Sequence, residues 1–153
     1  MRIFIFLLAV ITTFSAALAQ ERQWSLDASE REAYLVFGVP DTDDVGLSFW
    51  CEIGSGKISI FEPLDHKLLK KDKKIRIDLT IGDEKFNIVA KASISPESRS
   101  ASLEAQVAVD GTVMKAASKA QIISVTALGR KSSYPMFDAD VAGLLRLCSG
   151  EVN

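Results

Sequence analysis

The chain has 153 residues, with 18 Lys and Arg against 20 Asp and Glu, and its net charge is −2. A chain of this length forms one domain that buries a hydrophobic core without a structural metal. Its slightly acidic balance gives no reason to expect a nucleic acid as partner.

The first predicted element is a secretory leader. Arg2 precedes an apolar run, and small residues then lead to an Ala-x-Ala site that ends at Ala19. The alternative is a membrane anchor, but the run is shorter than the roughly 20 residues of a spanning helix. The pattern predicts a signal peptide over residues 1–19 and a single domain over 20–153 that is exported to the periplasm without a membrane span.

Apolar residues then alternate with polar ones in most of the remaining chain. This period of two predicts strands with one wet face. The predicted strands are Glu32 to Val39, Leu47 to Ile53, a strand through Ile58 and Ile60, Ile75 to Ile81, Phe86 to Ile94, Leu103 to Val109 and Ile122 to Leu128.

One turn signal between apolar runs is especially clear. Asp110-Gly111 predicts a two-residue hairpin, in which Val107 pairs with Met114. The segments on both sides of this turn are rich in alanine, so a short helix remains open for either of them.

The C-terminal segment alone has helical spacing. Val141, Leu144, Leu145 and Cys148 fall at i, i+3, i+4 and i+7, which is one face of a helix. An aspartate before Val141, either Asp138 or Asp140, fits the N-cap, and a following glycine fits the C-terminal stop.

Only two cysteines are present, Cys51 and Cys148. An even number in an exported protein predicts a disulfide, which here would pin the terminal helix to the strand that carries Leu47 and Phe49. The alternative is a redox pair or a thiol nucleophile, but there is no Cys-x-x-Cys motif. The sequence therefore predicts a mainly β protein, an antiparallel β-sandwich or small β-barrel with a short C-terminal helix.

The acidic stretch after Pro40 resembles part of a calcium loop. Asp41, Asp43 and Glu52 match loop positions 1, 3 and 12, but Val45 at position 5 offers no side-chain oxygen. The alternation downstream favours a polar turn that runs into a strand. A surface cation site on the three aspartates of this turn stays open.

Other tempting features are better explained as structure. The run from Gly54 to Lys57 lacks the spacing of a phosphate loop and predicts a hairpin turn. His66 is the only histidine, and it stands in a cationic loop. Six cations between Lys67 and Arg76 fit a solvated loop, or alternatively a patch for anionic lipid or an acidic protein. We predict no catalytic, metal or cofactor site.

The stretch from Gly129 to Pro135 predicts an exposed polar loop. Such loops on a β scaffold often carry binding residues, so Ser132, Ser133 and Tyr134 are the candidate partner-binding residues. The alternative for Tyr134 is that it covers the start of the terminal helix.

The layout from Leu47 to Phe61 is a strand with a cysteine, a turn and a second strand, and a lone C-terminal cysteine follows much later. This layout resembles the exported C-type lysozyme inhibitors of Gram-negative bacteria. The resemblance implies a small β-barrel that blocks a cell-wall hydrolase with a Ser- and Tyr-bearing loop, for which Ser132, Ser133 and Tyr134 would stand. The chain lacks the glycine that follows the serine in that family, and its cysteines are farther apart.

A second likeness lies at the two ends of the chain. Trp24, the strand of Cys51 and the ending Gly143–Cys148 are similar to a group of exported accessory proteins of type VI secretion. That resemblance implies a structural role in an envelope or secretion assembly.

The functional expectation is a periplasmic protein that binds rather than catalyses. The first hypothesis is an inhibitor of lysozyme or another peptidoglycan hydrolase, because lysozyme is strongly basic and an acidic chain complements it. The alternative is a structural accessory of a cell-envelope or secretion assembly. A third possibility is an enzyme whose site is built from residues distant in sequence.

Overall fold

The computed structural model describes residues 21–65, 67, 73–94 and 100–151. In these residues the chain is mainly β, with nine antiparallel strands in one curled half-barrel sheet and two short helices. The elements are β1 (Gln23–Ala28), β2 (Glu32–Gly38), β3 (Val45–Glu52), β4 (Lys57–Leu64), β5 (Lys74–Ile81), β6 (Glu84–Ile94), β7 (Ala101–Ala108), α1 (Thr112–Ala117), β8 (Ile122–Ala127), β9 (Arg130–Pro135) and α2 (Val141–Ser149).

The strand order is β1-β2-β3-β4-β7-β6-β5-β8-β9, so β1 and β9 are the two edges of the sheet. The sheet curls so far that its two edges come into contact. The indole N–H of Trp24 on β1 donates a hydrogen bond to the carbonyl of Pro135 at the end of β9. The backbone N–H of Trp24 also donates to the carboxylate of Asp138. The predicted mainly β fold is confirmed, and the barrel-like form is the one observed.

The core lies on the concave side of the sheet. Along β5 the buried residues alternate with exposed ones as the sequence predicts, and Phe49 of β3 is among the largest side chains that are fully buried. Helix α1 places Val113 and Ala117 against Phe49 and Leu79. These side chains leave no space for a water molecule between them, which is the density expected of a protein interior.

The C-terminal helix forms as predicted. The carboxylate of Asp140 accepts from the N–H of Gly143 as the N-cap, and Gly150 ends the helix with a left-handed φ of 79°. The last carbonyls of α2 also accept from the β3–β4 turn, where Gly54 and Gly56 donate their N–H groups. These hydrogen bonds satisfy two of the carbonyl groups at the C-terminal end of the helix that have no partner within the helix itself.

The predicted disulfide is present. Cys51 of β3 and Cys148 of α2 are bonded, with 5.8 Å between their Cα atoms and a sequence separation of 97. The bond joins the terminal helix to the concave face of the sheet. This is the face predicted for it, because Cys51 lies on the same side of its strand as the buried residues Leu47 and Phe49.

The predicted hairpin at Asp110-Gly111 is wrong. The chain enters α1 at this point, and Gly111 has a φ of −71° instead of the positive value that such a turn needs. Strand β7 is already hydrogen-bonded to β4 on one side and to β6 on the other. The pairing with β6 covers only Ala101–Glu104, and Val107 pairs with Ile58 of β4 and not with Met114, because Met114 is buried on α1.

Two strands were not predicted. The expected exposed loop from Gly129 to Pro135 is largely β9, which pairs with β8 along its whole length. It is nearly all polar, because an edge strand of this sheet presents few side chains to the core. Strand β1 is the other edge, and only Trp24 and Leu26 mark its inward face.

Some expectations fall outside the described residues, among them the signal peptide over 1–19, His66 and the lysine run at 68–72. Within the parts of the chain that are described, no helix is both long enough and apolar enough to cross a membrane.

Candidate functional site

The three residues predicted to bind a partner do not share one surface. Tyr134 faces the core and is only 5% exposed, while the next residue, Ser133, is exposed and shares a hydrogen bond with Ser124 across the β8–β9 pair. Ser132 is half-buried. Because side chains alternate along a strand, β9 divides the predicted set between its two faces.

Tyr134 is held by a buried carboxylate. Its hydroxyl donates to both carboxylate oxygens of Glu62, at 3.0 Å each, and Glu62 on β4 is 2% exposed. The ring of Tyr134 meets Phe37 edge to face, with 5.6 Å between the ring centroids. These contacts fasten the edge strand β9 across the concave face of the sheet.

Burial governs the electrostatics of this pair. It raises the pKa of Glu62, and hydrogen bonds from Ser132 and Tyr134 oppose that change. Burial and then the neighbouring charge of Glu62 raise the pKa of Tyr134 to about 12. A carboxyl with a raised pKa suits general acid chemistry, but this one is enclosed by the core and its oxygens are occupied by Tyr134. We therefore assign the pair to the fold.

A shallow cavity of about 340 Å³ lies beside this pair. Pro63, Leu64, Asp65, Arg130 and Ser132 line it. It is open and mostly polar at its rim, and no side chain that lines it is buried.

The acidic turn after Pro40 does not assemble a cation site. Asp44 forms a salt bridge to Arg22, which donates through two nitrogens and lowers the pKa of Asp44 through those hydrogen bonds. In the described segments, no group of three or more His, Cys, Asp or Glu is placed to hold a metal ion. The turn leads into β3, as the sequence predicts.

A different surface carries aromatic side chains. On the convex face of β2, β3 and β4, Tyr34, Trp50 and Phe61 line an open groove of about 330 Å³ together with Glu32 and Ser48. We call this set the aromatic groove. It is built by alternation, because the neighbours of these residues along each strand point into the core. Pairing of the strands then sets Tyr34 opposite Trp50 and Ser48 opposite Phe61.

The polar side of the aromatic groove is ordered by a hydrogen bond. The hydroxyl of Tyr34 donates to Glu32 Oε2 at 2.6 Å, and the rings of Tyr34 and Trp50 lie 6.4 Å apart at an angle of 42°. The hydrogen bond to Glu32 raises the pKa of Tyr34, and Trp50 opposes that change. Of the described residues that line the aromatic groove, Glu32 alone is charged.

The groove continues past Trp50 into a second depression of about 260 Å³. Its other lining residues are Glu52, Ser55, Lys57, Ser59 and Gln106. An aromatic surface that passes into a rim of hydroxyl, amide and charged groups is typical of a protein interface.

The aromatic groove was not predicted, although the sequence carries a signal for it. Tyr34, Trp50 and Phe61 occupy outward positions of three predicted strands, where polar residues are the rule. Exposed aromatic residues on adjacent strands are typical of a binding surface.

The fold and this surface define a mainly β protein that is closed by one disulfide and carries an aromatic convex face. No protein-family model, no curated protein and no solved structure matches the chain.

Proposed function

We propose that the protein is an exported, non-catalytic binding protein that inhibits a basic cell-wall hydrolase such as lysozyme. The observation that carries the proposal is the aromatic groove, because Tyr and Trp on an open surface are the residues most enriched among the energetic centres of protein interfaces. The predicted leader and the disulfide are both compatible with an oxidising compartment.

The geometry favours a protein partner over a small substrate. The groove is open along the sheet and lies on rigid, paired strands, so it offers a wide contact area without an enclosed cavity. Glu32 gives it negative charge, which complements the basic surface of lysozyme. The buried Glu62 and Tyr134 lie on the opposite face of the sheet and serve the fold.

A lysozyme activity assay with the purified protein tests this proposal. We expect inhibition at micromolar concentrations or below, and we expect truncation of both Tyr34 and Trp50 to alanine to weaken it by at least about 30-fold, since a single such centre is worth about 2 kcal/mol or more.

Val89→Ala is the matched control, because Val89 is an exposed apolar residue on β6, outside the groove. We expect it to inhibit like the unmodified protein. Absence of both inhibition and binding at micromolar concentrations would contradict the proposal. Recovery of a defined envelope complex from periplasmic extract, without binding to any hydrolase, would instead support the structural accessory role.

A further inference from the structure

We infer that the aromatic groove is a subsite for a guanidinium group, so that an arginine side chain of the partner sits between Trp50 and Glu32. The inference rests on the proposed function in that it names the side chain through which a basic partner docks. It is carried by the placement of one carboxylate, bound to the hydroxyl of Tyr34, in a groove that three aromatic rings line.

The three rings provide the first half of such a subsite. Trp50 and Phe61 are half-buried and Tyr34 is 37% exposed, so each ring is supported by the sheet while part of it stays open to solvent. The face of an aromatic ring carries partial negative charge and attracts a cation that stacks on it, and the effect is strongest for Trp.

Glu32 provides the second half. It lies at the start of β2, and the hydroxyl of Tyr34 donates to its Oε2, which orients the carboxylate along the groove. Among the described residues, no positively charged side chain lines the aromatic groove to neutralise it. Lys57 lines the adjoining depression and not the aromatic groove itself.

The combination of aromatic rings and a carboxylate in one groove selects arginine over lysine. A guanidinium is planar, stacks on an indole and donates in a fork to a carboxylate at the same time, whereas an ammonium is a strongly hydrated point charge. A site that combines a ring face with a carboxylate at its edge therefore recognises arginine by two contacts that lysine does not make together.

The two tryptophans make a direct test possible. Trp50 lines the groove, and Trp24 is 7% exposed in the core, so the two indole N–H signals of a ¹⁵N-labelled sample report on the site and on an internal reference. We would titrate the full protein with a six-residue arginine peptide, and with six-residue lysine and citrulline peptides of the same length. Trp50→Phe assigns the two signals.

We expect the arginine peptide to shift the Trp50 signal and to leave the Trp24 signal in place. The lysine peptide should bind about threefold more weakly, and citrulline, which is planar but uncharged, should produce no saturable shift. Glu32→Gln and Trp50→Leu should each weaken arginine binding by about threefold, as expected for one exposed charge pair or one cation–π contact.

Glu84→Gln is the matched control, because it removes the same charge from an exposed position at the β5–β6 turn. Equal weakening by Glu84→Gln and Glu32→Gln would show that only general electrostatic attraction is at work and would overturn the inference. So would a citrulline peptide that binds as well as arginine, or an arginine peptide that leaves Trp50 unchanged.

The two proposals fail separately in this design. If a hydrolase is inhibited but neither Glu32→Gln nor Trp50→Leu affects the inhibition, the arginine subsite is wrong and the proposed function stands. If the arginine peptide binds at Trp50 but no hydrolase binds to the protein, the subsite stands and the proposed function is wrong.

Discussion

The protein contains two tyrosine–glutamate pairs, and they lie on opposite faces of the same sheet. Tyr134 donates to Glu62 inside the curl of the sheet, where both residues are buried. Tyr34 donates to Glu32 on the convex face, where solvent reaches both. The bond type is the same, but water competes for the outer pair and is excluded from the inner one, so only the inner pair is expected to stabilise the fold.

The largest effect should follow from loss of the disulfide. We expect the double variant Cys51→Ala with Cys148→Ala to lose about 4 kcal/mol of unfolding free energy, because the bond closes a loop of nearly 100 residues in the unfolded chain. Urea unfolding measures this loss. The aromatic groove lies on the other face of β3, so groove binding below the lowered melting temperature should persist, and its loss would show that the two faces are not independent.

The two tyrosine hydroxyls can be removed one at a time. Tyr134→Phe keeps the ring against Phe37 but removes the hydroxyl that donates to the buried carboxylate of Glu62, which should cost about 2 kcal/mol. Tyr34→Phe makes the same chemical change on the convex face and should leave the urea midpoint unchanged. Equal destabilisation by the two variants would contradict the division between the faces.

The inner pair should also have a pH signature. Because burial raises the pKa of Glu62 above its ordinary value of 4.5, the folded state holds the proton more tightly than the unfolded state does. The stability that Glu62 contributes is therefore fully present below pH 4.5 and is lost as the pH rises through its raised pKa.

The variant Glu62→Gln isolates this effect. The unfolding free energy of the unmodified protein minus that of Glu62→Gln should fall as the pH rises above 4.5 and through the raised pKa of Glu62 in a urea series. Glu84→Gln, which removes a carboxylate from an exposed turn, controls for the general effect of charge. A difference that does not change with pH would contradict a buried carboxylate whose pKa is raised.

Much of the fold was predictable because most strands turn an apolar row toward the core. β5 is the clearest case, with four buried residues that alternate with wetter ones. The helix α2 was equally clear, since its spacing, its cap and its cysteine all agree. The hairpin after β7 was predicted wrongly because a turn motif carries no information on whether the residues that follow it pack against the core as a helix, as those of α1 do.

The site was harder to predict for a physical reason. Tyr134 looked exposed because its neighbours in sequence are polar, and the partner that buries it, Glu62, lies 72 residues earlier. The aromatic groove was not predicted because it forms only when β3 lies between β2 and β4, which brings Trp50 next to Tyr34 and Phe61. The sequence pattern of a strand shows which of its side chains face the core. It does not show which strands lie next to each other, and a binding surface that spans several strands depends on that order.

The separation of the two cysteines also bears on how the protein matures. Cys51 is synthesised 97 residues before Cys148, so its thiol has no native partner until Cys148 has been synthesised. The first three strands pair with their neighbours in sequence and can form early. The disulfide therefore forms after these strands, and until then an oxidant can react only with the single free thiol of Cys51.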